Sequence, residues 1–162
     1  MNTVYLLIGG NLGDRTKNLS DVKKILQSKI GKITQSSSLY ETAAWGLEEQ
    51  PGFLNQVLII KTNLSPQEIM QKILLIENDM GRIRTKKNAP RTIDIDILFF
   101  NDEIINKPNL LIPHPEILNR RFVLVPLNEI SPKLVHPHLK KSIKKLLSQC
   151  SDTLDVKLLS SP

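Results

Sequence analysis

One short string has residue types and spacing suited to a charged reaction centre: Arg91-Thr92-Ile93-Asp94-Ile95-Asp96-Ile97. Side chains alternate along a strand, so Asp94 and Asp96 share one face while Ile93, Ile95 and Ile97 share the other. Two like charges side by side on a strand repel. A divalent cation reverses that cost, and Mg²⁺ is commonly held by one or two carboxylates together with substrate phosphates. The metal reading takes this to be a central strand; the bland alternative is a solvated edge strand with two harmless carboxylates. Just upstream stand Arg82, Arg84, Lys86, Lys87 and Arg91. Guanidinium forks match phosphate oxygens. Cations at a helix C-terminus also answer the helix dipole, which accounts for Arg82 but poorly for Arg91 beside two carboxylates. Together the arginines and the paired Asp suggest a charge-neutralising clamp for phosphoryl transfer.

The other candidates are softer. Phe53 and Asn55 lie two apart on a strand and so share a face. A ring beside an amide suits a flat heterocycle, which stacks on one and has its edge read by the other. A core role for Phe53 and Phe122 fits the pattern equally well. His114, with Arg120 nearby, could serve a phosphate or a base. His136 and His138 lack a third metal ligand and are read as surface residues. The one glycine-rich stretch, Gly9-Gly10-Asn11-Leu12-Gly13-Asp14-Arg15, lacks the Lys-Ser/Thr of a P-loop and reads as a tight strand-to-helix turn.

These residues need elements to position them. Val4 to Ile8 predicts a buried strand, and a helix capped by Asp14 or Thr16 follows, with Leu19, Val22, Ile25, Leu26 and Ile30 inward. Ile33 to Glu41 predicts one strand with a wet face, 42–52 a loop and Phe53 to Thr62 a strand. Ser65-Pro66-Gln67-Glu68 is a capping box. The helix it opens turns Ile69, Ile73, Leu74, Ile76 and Met80 inward, and Gly81 ends it. Residues 82–90 form a loop, 91–100 a strand, and Glu103 to Ile105 a short arm pairing back. The Pro-punctuated remainder predicts short helices near 116–119 and 142–147. The order β-α-β-β-α-β predicts an α+β, ferredoxin-like core: an antiparallel sheet with two helices on one face and an irregular C-terminal third. Segments 42–52, 82–90 and 106–122 could cover the open face.

Composition narrows the class. The chain has 162 residues, 40% of them hydrophobic and 23% charged, which fits one domain over 1–162 and excludes disorder. No apolar run reaches the ~18 residues of a membrane span. The apolar N-terminal stretch is too short for a signal peptide, so the expected location is cytoplasmic. The single cysteine excludes an intrachain disulfide and a Cys-rich zinc site. The formal charge of +6 favours anionic partners or mere solubility.

The blocks Ile8-Gly9-Gly10-Asn11-Leu12-Gly13-Asp14, Tyr40-Glu41-Thr42, Phe53-Leu54-Asn55, Glu77, Gly81-Arg82-Ile83-Arg84, Ala89-Pro90-Arg91-Thr92-Ile93-Asp94-Ile95-Asp96-Ile97, Pro113-His114, Asn119-Arg120 and Phe122 recur in a known order. They resemble the 6-hydroxymethyl-7,8-dihydropterin pyrophosphokinase family, an ATP-dependent diphosphokinase of folate biosynthesis, over about residues 3–135. The resemblance implies pyrophosphate transfer from ATP to the pterin hydroxymethyl group, with AMP leaving. It implies two Mg²⁺ on Asp94 and Asp96, with Asp94 also able to take the hydroxyl proton. Arg82 and Arg91 resemble transition-state arginines. Glu77, Arg84, Ile97, His114 and Arg120 resemble ATP contacts. Thr42, Ala43, Trp45, Phe53, Asn55 and Phe122 resemble the pterin pocket. The expected partners are ATP and the pterin, with a monomer and no nucleic-acid or membrane partner expected. The chain departs from the commoner pattern at Lys86-Lys87-Asn88-Ala89, Leu74, Ala43-Ala44, Trp45 and Pro115. The competing readings are a ferredoxin-like nucleic-acid-binding module, which would need stacking aromatics on its central strands, and a Mg²⁺-dependent phosphohydrolase.

Overall fold

Asp14 and Ser65 start the two main helices. The computed structural model describes residues 1–43, 52–81 and 92–161. Strand β1 (Asn2–Gly10) leads through a turn to α1 (Arg15–Lys29), where the Asp14 carboxylate accepts the Lys17 N–H at 3.1 Å. Strands β2 (Lys32–Ser36), β3 (Leu39–Thr42) and β4 (Phe53–Thr62) follow. Helix α2 (Pro66–Asp79) opens on the predicted capping box, Ser65 and Glu68 bonding each other's backbone N–H. After it come β5 (Asp94–Phe100) and a separate hairpin, β6 (Ile105–Lys107) with β7 (Leu110–Ile112). The C-terminal third holds a 3₁₀ turn at Ile117–Asn119, α3 (Arg121–Ile130), α4 (Ile143–Gln149) and β8 (Val156–Ser160).

The main sheet is antiparallel in the order β5-β1-β4-β3-β8, and β2 also pairs with β4. This is the ferredoxin-like order with its second strand broken in two and one strand added. Four steps from Ser36 to Tyr40 answer three from Leu58 to Asn55, so the predicted single strand over Ile33–Glu41 cannot run straight. Ser37 and Ser38 take up the extra residue. The Ser37 hydroxyl accepts the Val57 N–H at 2.9 Å, and its carbonyl accepts from the Gln56 amide at 2.7 Å. Ser38 donates its N–H and hydroxyl to the Glu129 carboxylate of α3, at 2.9 and 2.6 Å. The Tyr40 hydroxyl donates to the same carboxylate at 2.9 Å. Burial and then that carboxylate push the Tyr40 phenol up to about 12.

Each sheet face has its own core. Val4, Leu6, Ile8, Leu54, Leu58, Ile60, Ile95 and Ile97 meet α1 and α2 through Leu19, Val22, Leu26, Ile69, Ile73 and Ile76. Leu7, Val57, Leu98 and Phe99 meet Val123, Leu124 and Leu127 of α3 and Ile143 and Leu146 of α4. A bulge opposite Tyr5 and Leu6 inserts Leu98 into β5, so Leu98 and Phe99 both join the second core. Among the described residues no helix is long and apolar enough to cross a membrane.

Several expectations change. Gly9 and Gly10 belong to β1, not to the turn. Ile105 pairs with Ile112 in the separate hairpin, and among the described residues no arm folds back on β5. Leu74 is 47% exposed, because one step past Ile73 rotates it about 100° off the buried stripe. Helix α3 carries Pro126 inside it and was not expected; Val123, Leu124, Pro126 and Leu127 are all buried, which outweighs the missing N–H. His136 is 6% exposed rather than a surface residue, while His138 is exposed as expected. The His136 Nδ1 accepts the N–H groups of His138 and Leu139 at 3.2 and 3.1 Å, and its ring packs edge-on against Phe99.

Burial, helped by His138, lowers the His136 pKa below the usual imidazole range. A lowered folded-state value means that the unfolded chain takes up the proton first. The stability it contributes is full above the unfolded value of about 6.5 and is lost as pH falls through the folded value. The urea midpoint is therefore expected to drop between about pH 7.5 and pH 5. His136→Asn should lose less over that interval; an unchanged slope would show that this imidazole is not the group responsible.

Candidate active site

Helices α3 and α4 cover only part of the second face. Beyond them, the same face carries Gly9, Phe53, Asn55, Asp94 and Asp96, and a recess forms there. Asp94 stands opposite Gly9 and Asp96 opposite Leu7 in the β1–β5 pairing. Both carboxylates line the recess, together with Thr42, Ala43, Arg120, Phe122 and Leu154. The predicted sharing of one face by the two Asp therefore holds, with Ile93, Ile95 and Ile97 buried on the other side.

Strand β5 is the edge of the sheet and not the expected central strand, so its outward backbone groups need partners from elsewhere. Glu77, buried on α2, accepts the Ile95 N–H at 2.9 Å, between the two Asp. The His114 N–H donates to the Leu98 carbonyl at 3.0 Å. The His114 Nδ1 accepts the Glu116 N–H at 3.1 Å. Burial and then the Arg120 charge lower the His114 pKa, which favours the neutral ring. His114, Ile97 and Asp96 line a second groove with Met70, Leu110 and Pro115. Asp96 thus borders both grooves.

The recess is aromatic on one side and cationic on another. Phe53 and Phe122 are half-buried, and Arg120 lies 5.6 Å from the Phe122 ring centre. Asn55 is 5% exposed and faces Gly9 across the β1–β4 pairing. A Cβ at Gly9 would stand 2.4 Å from Asn55 Oδ1 and 2.7 Å from the Leu54 carbonyl, so only glycine leaves room for that amide. Thr42 is buried and pairs with Phe53. Arg15 donates to the Glu41 carboxylate and to the Gly52 carbonyl, the latter at 2.8 Å, so one guanidinium holds the strand ends beside the recess.

The expected residues thus divide. Thr42, Ala43, Phe53, Asn55, Asp94, Asp96, Arg120 and Phe122 share the recess. Ile97 and His114 share the adjoining groove with Asp96. Glu77 lines neither and supports β5 from the helix side. Trp45, Arg82, Arg84, Lys86, Lys87 and Arg91 lie outside the described residues. Two half-buried carboxylates supply hard oxygen donors suited to Mg²⁺. Among the described residues no three His, Cys, Asp or Glu gather, so such an ion would complete its shell with water and phosphate oxygens.

The model of the 7,8-dihydro-6-hydroxymethylpterin-pyrophosphokinase family matches residues 5–132. The chain belongs to this family. It is 43% identical over 145 residues to a 2-amino-4-hydroxy-6-hydroxymethyldihydropteridine pyrophosphokinase of Aquifex aeolicus, covering 90% of each chain. It is 40% identical over 149 residues to a folic acid synthesis protein of Pneumocystis carinii, covering 92% of this chain but only 20% of that one. The fold matches wild-type HPPK-DHPS of Plasmodium falciparum, crystallised with SDX-DHP, with a TM-score of 0.75 and 20% identity over 92% of this chain and 43% of that one. These likenesses favour neither the nucleic-acid module nor the phosphohydrolase.

Three features of this pyrophosphokinase-family site escaped the sequence reading. Gly9 looked like part of a turn. Arg15 carries no signal beyond its place after the turn. Leu154 lies beyond the matched blocks altogether. Gly9→Ala is expected to cost about 1–3 kcal/mol by overpacking and to shift the Asn55 side-chain amide resonance. Urea unfolding and NMR would check both, and a full-stability variant with an unmoved Asn55 would contradict the steric account.

Proposed function

We propose that this chain, as a single unit over 1–162, transfers the diphosphate of ATP to the hydroxymethyl oxygen of 6-hydroxymethyl-7,8-dihydropterin, yielding AMP and the pterin diphosphate in folate biosynthesis. One juxtaposition carries the reading: two carboxylates on an edge strand adjoin a recess with two aromatic rings and a buried amide. A flat heterocycle between Phe53 and Phe122, with its edge toward Asn55, would bring a ring substituent toward Asp94 and Asp96.

The reaction forms an O–P bond to the β-phosphorus and breaks the bond between that phosphorus and the oxygen that leaves on AMP. It asks for in-line positioning and charge neutralisation rather than covalent help. Asp94 and Asp96 would hold two Mg²⁺, which when bound supply Lewis-acid neutralisation of the phosphate charge. Asp94 accepts the hydroxyl proton. Arg82 and Arg91 stabilise charge on the transferring group, and Glu77, Arg84, Ile97, His114 and Arg120 serve the nucleotide. Thr42, Ala43 and Trp45 complete the ring pocket. We read the protein as a cytoplasmic monomer with these two small-molecule partners.

Asp94→Ala and Asp96→Ala are each expected to abolish pterin-dependent AMP release, by about 10³-fold or more, while the circular dichroism spectrum stays that of the folded chain. Turnover within tenfold of the parent would remove the metal assignment. Arg82→Ala and Arg91→Ala should lower kcat more than they raise either KM; a change confined to KM would make them ground-state binding residues. The primary test is AMP release with ATP, Mg²⁺ and the pterin against the same mixture lacking the pterin. ADP or phosphate as the nucleotide-derived product would replace this reading with a hydrolytic one.

A further inference from the structure

The family match ends at residue 132, but the recess does not. Leu154, in the segment between α4 and β8, lines it beside Thr42, Ala43, Phe53 and Phe122. The same side chain borders a shallower groove with Glu41, Gly52, Asp155 and Lys157, so it stands between the recess and solvent.

This segment is fixed at two points. Asp152 Oδ1 accepts the Leu154 N–H at 2.9 Å, and its Oδ2 accepts the Arg121 N–H at 3.0 Å. Arg121 is the first residue of α3, and Arg120 at that helix's N-cap makes no capping bond with its own side chain. The Asp152 carboxylate therefore caps α3 from a distance, where a helix N-terminus favours an anion. Two residues past Leu154, Val156 pairs with Thr42. One end of the strap is thus tied to the helix start that carries Arg120 and Phe122. The other is tied to the strand end that carries Thr42 and Ala43.

We propose that residues 152–156 form a third wall of the ring recess, in which Leu154 is a specificity-determining residue for the heterocycle and Asp152 a positioning residue. The inference rests on the pterin-pyrophosphokinase reading. Leu154 offers an aliphatic surface between the two rings and solvent, where a bound heterocycle has an apolar edge to cover. Asp152 sets the distance between that surface and Phe122, because one carboxylate holds the backbone beside each. The nucleotide groove at Ile97 and His114 has no part of this strap in its lining.

Initial rates of AMP release in the full-length chain, varying each substrate in turn, test this. Leu154→Ala is expected to raise the pterin KM roughly tenfold, the scale of losing an aliphatic contact in a pocket, and to leave the ATP KM within about twofold. Leu154→Ile should keep the parent value. Asp152→Ala should act in the same direction through Leu154 and Phe122, and Asp152→Asn, which keeps one acceptor oxygen for two N–H donors, should recover only part of the loss. A purely structural strap would lower the urea midpoint and kcat without singling out the pterin. The proposal is overturned if the pterin KM stays within twofold in both alanine variants, or if both substrates shift equally, while the parent chain turns over. If the parent chain releases no AMP in response to the pterin, the reading of the reaction itself fails, and this inference falls with it.

Discussion

An edge strand that carries two carboxylates on one face is an unstable object in isolation. Its outer backbone groups want partners, and its charges repel. In this protein the backbone problem is answered from two directions. Glu77 reaches over from α2 to take the Ile95 N–H, and the segment after the β6–β7 hairpin presents the His114 N–H to Leu98. Each contact falls close to a carboxylate, so the position of Asp94 and Asp96 depends on α2 and on the 113–116 segment as well as on β1. The remaining charge problem is the feature that makes the strand useful, because cations and phosphates can resolve it.

The rest of the architecture follows from dividing one sheet face between two tasks. Toward one end the face is closed by α3 and α4 over Leu7, Val57, Leu98 and Phe99; toward the other it stays open around Gly9, Asn55 and the two Asp. The bulge at Leu98 marks the change along β5. Strict alternation would place Asp94, Asp96, Leu98 and Phe100 together, whereas the inserted residue sends Phe99 to that face and returns Phe100 to the first core. Helix α3 serves both tasks. Its buried stripe seals the closed half, and the turn at its start delivers Arg120 and Phe122 to the open half.

Much of this was legible in the sequence because the signals were local. The capping box at Ser65, the alternation of Ile93 to Ile97, and the spacing of Phe53 and Asn55 are each contained within a few residues, and each appears as read. What stayed hidden depends on distant partners. The break at Ser37-Ser38 is stabilised by Glu129, ninety-one residues away from Ser38. The helix around Pro126 exists because three sheet strands, β1, β4 and β5, need a lid, which outweighs the proline's poor propensity. His136 looked like a surface residue because nothing nearby in sequence announces Phe99 as its neighbour. Gly9 could be read as a turn glycine only while Asn55 was not known to lie opposite.

The Arg15 fork has an implication for how such a protein can vary. It fastens Glu41 and Gly52 to one guanidinium, next to the Thr42–Phe53 pair. The two banks of the intervening segment are thereby fixed at a set distance, whatever joins them. A connection between anchored ends can lengthen at small entropic cost, about 0.6 kcal/mol for each doubling. The stretch after Trp45 and before Gly52 is therefore a place where sequence and length can drift from one descendant to the next while Thr42 and Phe53 keep their positions in the recess. The fork works as a mooring, and it separates inheritance of the two strand ends from inheritance of the residues that join them.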